Sequence, residues 1–270
     1  MSAESENPSI TLYTAQTPNG IKISITLEVL GLPYNVHKLN IAENEQKTEW
    51  FRAINPNARI PAMRDTFTDE KEIRLFESGS IMQYLVDRYN TEHRISYPRG
   101  TREWVETQNW LFFMNAGVGP MQGQANHFFR YATERIPYAI DRYQTETKRL
   151  YGVLDKHLQD ADTSYLVGER CTIADIAHWG WIALARWSLG GSHHPVPPLD
   201  DSPALKAWEA RMFERPAVQR GRQVPDKHQR GMLEDPVAMQ AFEARGKAFY
   251  QKLAEEAREE PSEDETAALA

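Results

Sequence analysis

Along the first ninety residues the apolar positions switch between two spacings, and the switches mark out the elements. Residues 10–13 and 34–39 are short and rich in β-branched and aromatic side chains, as strands are. One helix-length segment separates them, so a parallel βαβ unit is expected. Residues 21–30 fit two patterns. Ile21, Ile23, Ile25, Leu27 and Val29 alternate as in a strand, while Ile21, Ile25 and Val29 also form an i, i+4 line. Thr17 or Asn19 as N-cap and Gly31 as a stop favour the helix. Residues 62–64 and 73–76 flank the polar turn Thr68-Asp69-Glu70-Lys71 and predict an antiparallel hairpin, after which residues 78–89 close as a helix. The expected order is βαβ, helix, ββα.

Beyond about residue 100 the pattern is helical throughout. Residues 101–118, 138–158, 172–187 and 204–214 are the clearest helices, punctuated by Pro137, Pro203 and Pro216. Thr172-Ile173-Ala174-Asp175 is a capping-box pattern that starts the third of them. Residues 237–257 form a terminal helix with a weak apolar face of Phe242, Phe249 and Leu253. The chain therefore divides into an α/β domain over residues 8–92, an all-α domain over residues 101–258, and an acidic tail over 259–270 that is expected to be disordered.

Composition changes this picture little, but it narrows the chemistry. The 270 residues, 41% hydrophobic and 26% charged, suffice for two packed cores. No stretch approaches the roughly 20 apolar residues of a membrane helix. The first eight residues lack the apolar core of a signal peptide, and a cytoplasmic location is expected. The net charge of -7 is concentrated at the end: seven acids from Glu255 to Glu265 face only Lys252 and Arg258. The nearly neutral remainder gives no global attraction for nucleic acid. Cys171 is the sole cysteine, which excludes an internal disulfide and a thiolate zinc site. Its place just ahead of a helix cap reads as a buried filler. His193 and His194 stand in a Gly- and Pro-rich loop without further ligands at metal spacing, so no metal is expected.

Thr17-Pro18-Asn19-Gly20 lies where the first strand feeds a helix, a junction that offers backbone N–H groups and the positive end of a helix dipole to an anion. A thioredoxin or glutaredoxin would put Cys-X-X-Cys here. This chain has none, so any thiol chemistry uses a thiol brought by a ligand. Further on, Asn55-Pro56-Asn57-Ala58-Arg59-Ile60-Pro61-Ala62 precedes the third strand, and Phe76-Glu77-Ser78-Gly79-Ser80-Ile81 joins the fourth strand to its helix. Together these segments resemble the glutathione-binding half of the glutathione transferases. Thr-Pro-Asn-Gly with Glu45-Gln46 resembles the Nu class and the yeast nitrogen-regulator relatives. The likeness continues through residues 110–113, 119–124 and 136–144, and runs from about Ile10 to Arg220.

The resemblance implies a thioredoxin-like N-terminal domain, an all-α C-terminal domain, a homodimer, and glutathione as substrate. The second substrate would be a small electrophile or a disulfide. In the implied site, Ser78 and the helix N–H groups beside it take the γ-glutamyl carboxylate, and Glu77 takes the ammonium. A cis Pro61 leaves the Ile60 backbone to pair with the cysteinyl residue. Arg59 and Gln46 serve the glycyl end, and Arg142 reaches in from the partner subunit. The thiol faces Thr17 and Asn19, the catalytic candidates. Each has a plainer reading: Thr17, Asn19 and Ser78 as caps, Glu77 as a first-turn acid, Arg142 as the exposed partner of Glu146. Trp110, Phe113, His127, Phe128 and Phe129 are either a wall for an apolar co-substrate or core. Conjugation and disulfide reduction both remain open. The lack of a Tyr or Ser in the usual activating position, as in the Nu pattern, tilts the reading toward disulfide reduction. The alternative is a non-enzymatic regulator on the same fold.

Overall fold

A computed structural model describes residues 9–161, 163–190 and 199–259. The His193-His194 loop and the acidic tail beyond residue 259 lie outside the described residues.

Strands β1 (Thr11–Thr14), β2 (Asn35–Lys38), β3 (Ala62–Thr66) and β4 (Glu72–Phe76) form one sheet in the order β2-β1-β3-β4. The pair β1 and β2 is parallel, with helix α1 (Gly20–Leu30) as the crossover, and β1/β3 and β3/β4 are antiparallel. Leu12 at the centre of β1 sits opposite Val36 and Met63, and both Leu12 and Met63 are fully buried. Short α2 (Glu49–Arg52) follows two 3-10 turns, Ile41–Glu43 and Glu45–Lys47, and α3 (Ser78–Tyr89) closes this half.

The ambiguous segment is a helix, and its surroundings explain the strand-like alternation. Every residue from Gly20 to Leu27 is buried, because α1 is covered by α3 and by two helices of the second half. A helix enclosed on all sides has no polar stripe to reveal a 3.6-residue period. Ser24 is buried because its hydroxyl donates to the Gly221 carbonyl at 2.7 Å, and Thr26 because it donates back to Lys22 O. Gly31, at φ 68°, ends the helix in the left-handed conformation that Gly adopts without penalty.

The second half comprises α4 (Arg102–Phe113), α5 (Gly119–Asn126), α6 (Pro137–Asp160), α7 (Ile173–Ile182), α8 (Ala185–Leu189), α9 (Pro203–Phe213), α10 (Pro216–Gly221) and α11 (Pro236–Glu259). Two expected helices are subdivided. Residues 101–118 run from α4 into a π turn, Met114–Val118, where the Gly119 N–H reaches back to the Met114 carbonyl. The wider turn lets α5 start with Pro120, which has no N–H to satisfy. A second π turn, His127–Tyr131, ends α5. Residues 172–187 break after Ile182, where the Trp181 carbonyl accepts from the Gln122 side chain and Leu184 leaves helical geometry.

The capping box at α7 is present, and its acid does more than cap. Asp175 accepts from Thr172 N at 2.8 Å, Leu166 N at 2.9 Å and the Trp208 indole at 2.9 Å, all inside the core. The two halves meet closely because glycines stand where α7 and α10 touch α1. A Cβ on Gly180 would come within 2.8 Å of the Pro18 carbonyl oxygen, and one on Gly221 within 2.5 Å of Ile25 Cα. No helix of the described residues is long and apolar enough to cross a membrane.

Candidate functional site

The chain enters α1 through Thr17-Pro18-Asn19, and the helix start is already self-satisfied. Thr17 Oγ1 accepts from the Gly20 N–H at 3.0 Å, and Thr17 O accepts from the Ile21 N–H at 3.2 Å. The backbone donors expected to serve an anion here are thus partly occupied. Asn19 caps nothing; its Oδ1 accepts from the Trp181 indole N–H at 3.1 Å. That fixes the amide flip, because the oxygen faces the indole donor and the NH2 is left pointing elsewhere. What this corner offers a ligand is the Asn19 amide N–H and the Thr17 hydroxyl hydrogen. Trp181 is itself held between Asn19 and the glycine face of α5, with Gly119 and Gly123 against the ring.

The start of α3 is the opposite case. No side chain caps it, so its leading N–H groups are open, and a carboxylate is the complement such a terminus favours. Ser78 is buried there, and its Oγ accepts from Lys22 Nζ at 3.3 Å. Glu77, exposed and at φ 65°, is held in a left-handed conformation with Oε1 accepting from Asn57 Nδ2 at 3.3 Å. The loop before β3 therefore steers Glu77. Asn55 braces that loop by donating to Arg59 O at 2.5 Å and accepting from Asn57 N at 2.9 Å. The Ile60-Pro61 peptide is cis, as the resemblance implies.

Arg59 lies exposed on the same loop, and Gln46 is buried in the 3-10 turn Glu45–Lys47 with its Oε1 lacking any protein partner. Arg142 is elsewhere, on the exposed side of α6. The ion pair with Glu146 is not formed; both Glu146 oxygens take Arg149 instead, at 2.7 and 2.8 Å. Arg142 is left without a hydrogen bond or ion pair among the described residues.

The expected aromatic wall divides into two groups. Trp110 packs on Phe113 and His157, and Phe113 stacks on buried His178, all within the helical core. His127 and Phe128 lie in the second π turn; His127 meets Tyr250 of α11 and Phe128 stacks on Tyr143. Phe129 covers Arg130. No ring contact joins the two groups, because the helix between them turns the second away. Lys22, Asn57 and Trp181 escaped the sequence reading, and Lys22 alone carried a signal, as the one charge in a segment, residues 21–27, otherwise made of apolar and hydroxyl side chains. Cys171 is buried, and burial pushes its thiol well above the usual range. Among the described residues no group of His, Cys, Asp or Glu is arranged to hold a metal.

A thioredoxin-like sheet with its cis-proline loop, docked on an all-helical half and without a cysteine at the first helix, defines a two-domain fold. The comparisons agree. The model of the glutathione S-transferase N-terminal domain matches residues 8–87, and that of the C-terminal domain matches residues 119–216. The disulfide-bond oxidoreductase YfcG of Escherichia coli is 40% identical over 212 residues, covering 77% of this chain and 92% of that protein. A glutathione transferase homolog from Lodderomyces elongisporus, crystallised with two GSH per subunit, is 46% identical with a TM-score of 0.74. It covers 82% of this chain and 100% of its own. The glutathione transferase URE2P6 from Phanerochaete chrysosporium, in complex with oxidized glutathione, is 36% identical with a TM-score of 0.73, covering 84% and 98%. The chain belongs to the glutathione S-transferase family of enzymes.

Proposed function

We propose that this protein binds glutathione along the edge formed by α1, the 55–61 loop and the start of α3, and that it reduces small disulfides with it. Two glutathione thiols and one disulfide give one glutathione disulfide and two thiols, so electrons balance without another reductant. The observation that carries the reading is the Asn19 amide, whose oxygen is engaged by Trp181 and whose N–H is free at the corner where the thiol would sit. The single cysteine is buried, so the reacting sulfur comes from the ligand.

The energetics are sufficient. Lowering a thiol pKa from about 8.5 by ~2 units takes ~2.7 kcal/mol. A hydrogen bond to a thiolate is worth ~1.5–3 kcal/mol and a helix terminus up to ~2. Ser78 and the open N–H groups of α3 suit the γ-glutamyl carboxylate, Glu77 the ammonium, the Ile60 backbone the cysteinyl amide, and Arg59 with Gln46 the glycyl end.

The partner subunit's Arg142 completes the site in this reading, in a homodimer. Support comes from the Arg142 guanidinium, which has no hydrogen bond or ion pair among the described residues, and from Val105 and Phe112, exposed seven residues apart on α4 at 49% and 60%. The relatives support the chemistry by what their names say of them: a disulfide-bond oxidoreductase, and structures holding GSH or oxidized glutathione. The deciding experiment compares turnover of hydroxyethyl disulfide with conjugation of an aryl halide, both with glutathione. Conjugation alone would return the protein to the ordinary transferase activity, and neither would leave the regulatory alternative.

A further inference from the structure

Lys22 is 1% exposed, among the largest fully buried side chains of the protein. A buried lysine ordinarily has a carboxylate beside it. Here Nζ lies 3.3 Å from Ser78 Oγ and 3.1 Å from Met114 Sδ, two neutral atoms. An ammonium has three hydrogens and no lone pair, so Ser78 Oγ is the acceptor and its own hydrogen must go elsewhere. The start of α3, where Ser78 stands, has no side-chain cap.

We propose that Lys22 is the positioning residue of the carboxylate subsite, donating to Ser78 Oγ from behind so that the Ser78 O–H is turned outward to the ligand's carboxylate. This rests on the reading above that α3 receives the γ-glutamyl carboxylate. It adds a cation one hydroxyl away from the ligand's charge, reached through the protein interior.

The geometry has a consequence in pH. Burial brings the Lys22 ammonium down to about 7, and Glu77, the acid acting on it among the described residues, pulls the other way. A carboxylate seated on Ser78 adds a second negative charge and holds the proton on Lys22 to higher pH. Ligand binding above neutrality therefore takes up a proton. Other ionisable groups stand on α1 and on the elements packed against it. His178 of α7 is brought down to about 4 and is neutral. Glu28 on the same helix is tied to Arg220 of α10 at 2.7 Å. Tyr13 of β1 belongs to a separate apolar cluster with Phe51 and Ile54. In its neutral form the Lys22 amine has a lone pair and can draw the Ser78 hydrogen inward, which weakens the subsite further.

The test is calorimetry of S-methylglutathione, which has no thiol proton, binding to the wild type, K22R and K22M between about pH 6.5 and 8.5 in buffers of different ionisation enthalpy. The wild type should take up a fraction approaching one proton per site at the upper end, with affinity falling by up to roughly tenfold per pH unit above neutrality. K22R, charged throughout, should lack this uptake, and any proton exchange it shares with the wild type belongs to the ligand. K22M should bind weakly at every pH. Equal uptake in the wild type and K22R, or K22M binding as tightly as the wild type at pH 6.5, overturns the proposal. The wild-type uptake requires no variant to fold. No binding by the wild type at millimolar ligand removes the glutathione reading itself, a result distinct from binding without proton uptake.

Discussion

Trp181, on α7 of the helical half, donates its indole N–H to Asn19 Oδ1 of the α/β half at 3.1 Å across 162 positions of sequence. The bond does not complete a cap or a core network; it orients one amide at the entrance to α1. If the Asn19 NH2 is the group that meets the thiol, Trp181→Phe should lower turnover while leaving glutathione affinity nearly unchanged. A neutral hydrogen bond at ~0.5–1.5 kcal/mol corresponds to roughly two- to tenfold. The double variant with Asn19→Ala should be no slower than Asn19→Ala alone, since Trp181 has nothing left to orient. Additive losses would assign Trp181 a separate role, and thermal melts will register the packing lost against Gly119 and Gly123.

Asn19→Ala alone should cut glutathione-dependent turnover by about tenfold, the effect of ~1.4 kcal/mol of lost thiolate stabilisation, and move the pH-rate profile to higher pH. Cys171→Ser should leave turnover nearly intact, because the thiol is buried and held protonated. Asn19 makes no capping bond, but its loss leaves the buried Trp181 indole N–H without its acceptor at a cost of ~1–3 kcal/mol, so turnover is compared per folded molecule. An unaltered profile in Asn19→Ala, or an inactive Cys171→Ser, would rule out a mechanism that relies on the ligand's thiol alone.

How far the sequence could be read depended on whether an element shows one face to water. Helices α3 and α6 do, and their limits were legible to within a residue or two. Helix α1, enclosed on all sides, alternated like a strand, and the i, i+4 line of Ile21, Ile25 and Val29 decided for a helix together with Gly31 and the residues before Gly20. The site separated along a different line. Segments that present backbone or local side chains to a ligand, such as Ile60-Pro61 and Glu77-Ser78, carry their spacing in the sequence. Partners supplied from 56 or 162 positions away, Lys22 to Ser78 and Trp181 to Asn19, do not. Trp110, Phe113, His127 and Phe128 read as one aromatic group because the two π turns that part them leave no mark in composition.

Arg142→Ala should raise the KM for glutathione by roughly 10- to 100-fold, as expected for a charged hydrogen bond of ~1.5–3 kcal/mol, with kcat less affected. The folded monomer should lose little, since among the described residues the guanidinium makes no hydrogen bond or ion pair and only an electrostatic pull on Glu146. Sedimentation should give a dimer for both wild type and variant. A 31.0 kDa monomer at micromolar concentration, or an unchanged KM, would remove Arg142 from the site.

Acid should destabilise the fold through two histidines. His178 donates from Nδ1 to the Ala174 carbonyl at 2.8 Å, and its Nε2 is buried without a partner. His228 stacks on Trp179, accepts from Arg230 N at 3.2 Å, and also has a buried, unpartnered Nε2. Burial brings both down from 6.5 to about 4, with Lys22 adding to the effect at His178 and Arg222 and Arg230 at His228. A group whose folded pKa is depressed is bound by fewer protons in the native state than in the unfolded chain between the two values. The stability of the neutral forms is thus complete above pH 6.5 and lost as pH falls toward 4. The loss is of the order of ~3 kcal/mol per histidine at the bottom of the window. Below the range in which Lys22, brought down to about 7, takes up its proton, urea midpoints should drop further from pH 6.5 toward 4, before the bulk of the carboxylates titrate. His178→Gln keeps a donor for Ala174 O but cannot ionise, and His228→Gln likewise removes the charge. Each should start from a lower midpoint at pH 7 and show a shallower fall below 6.5. The same slope in the double variant as in the wild type would move the acid sensitivity to other groups.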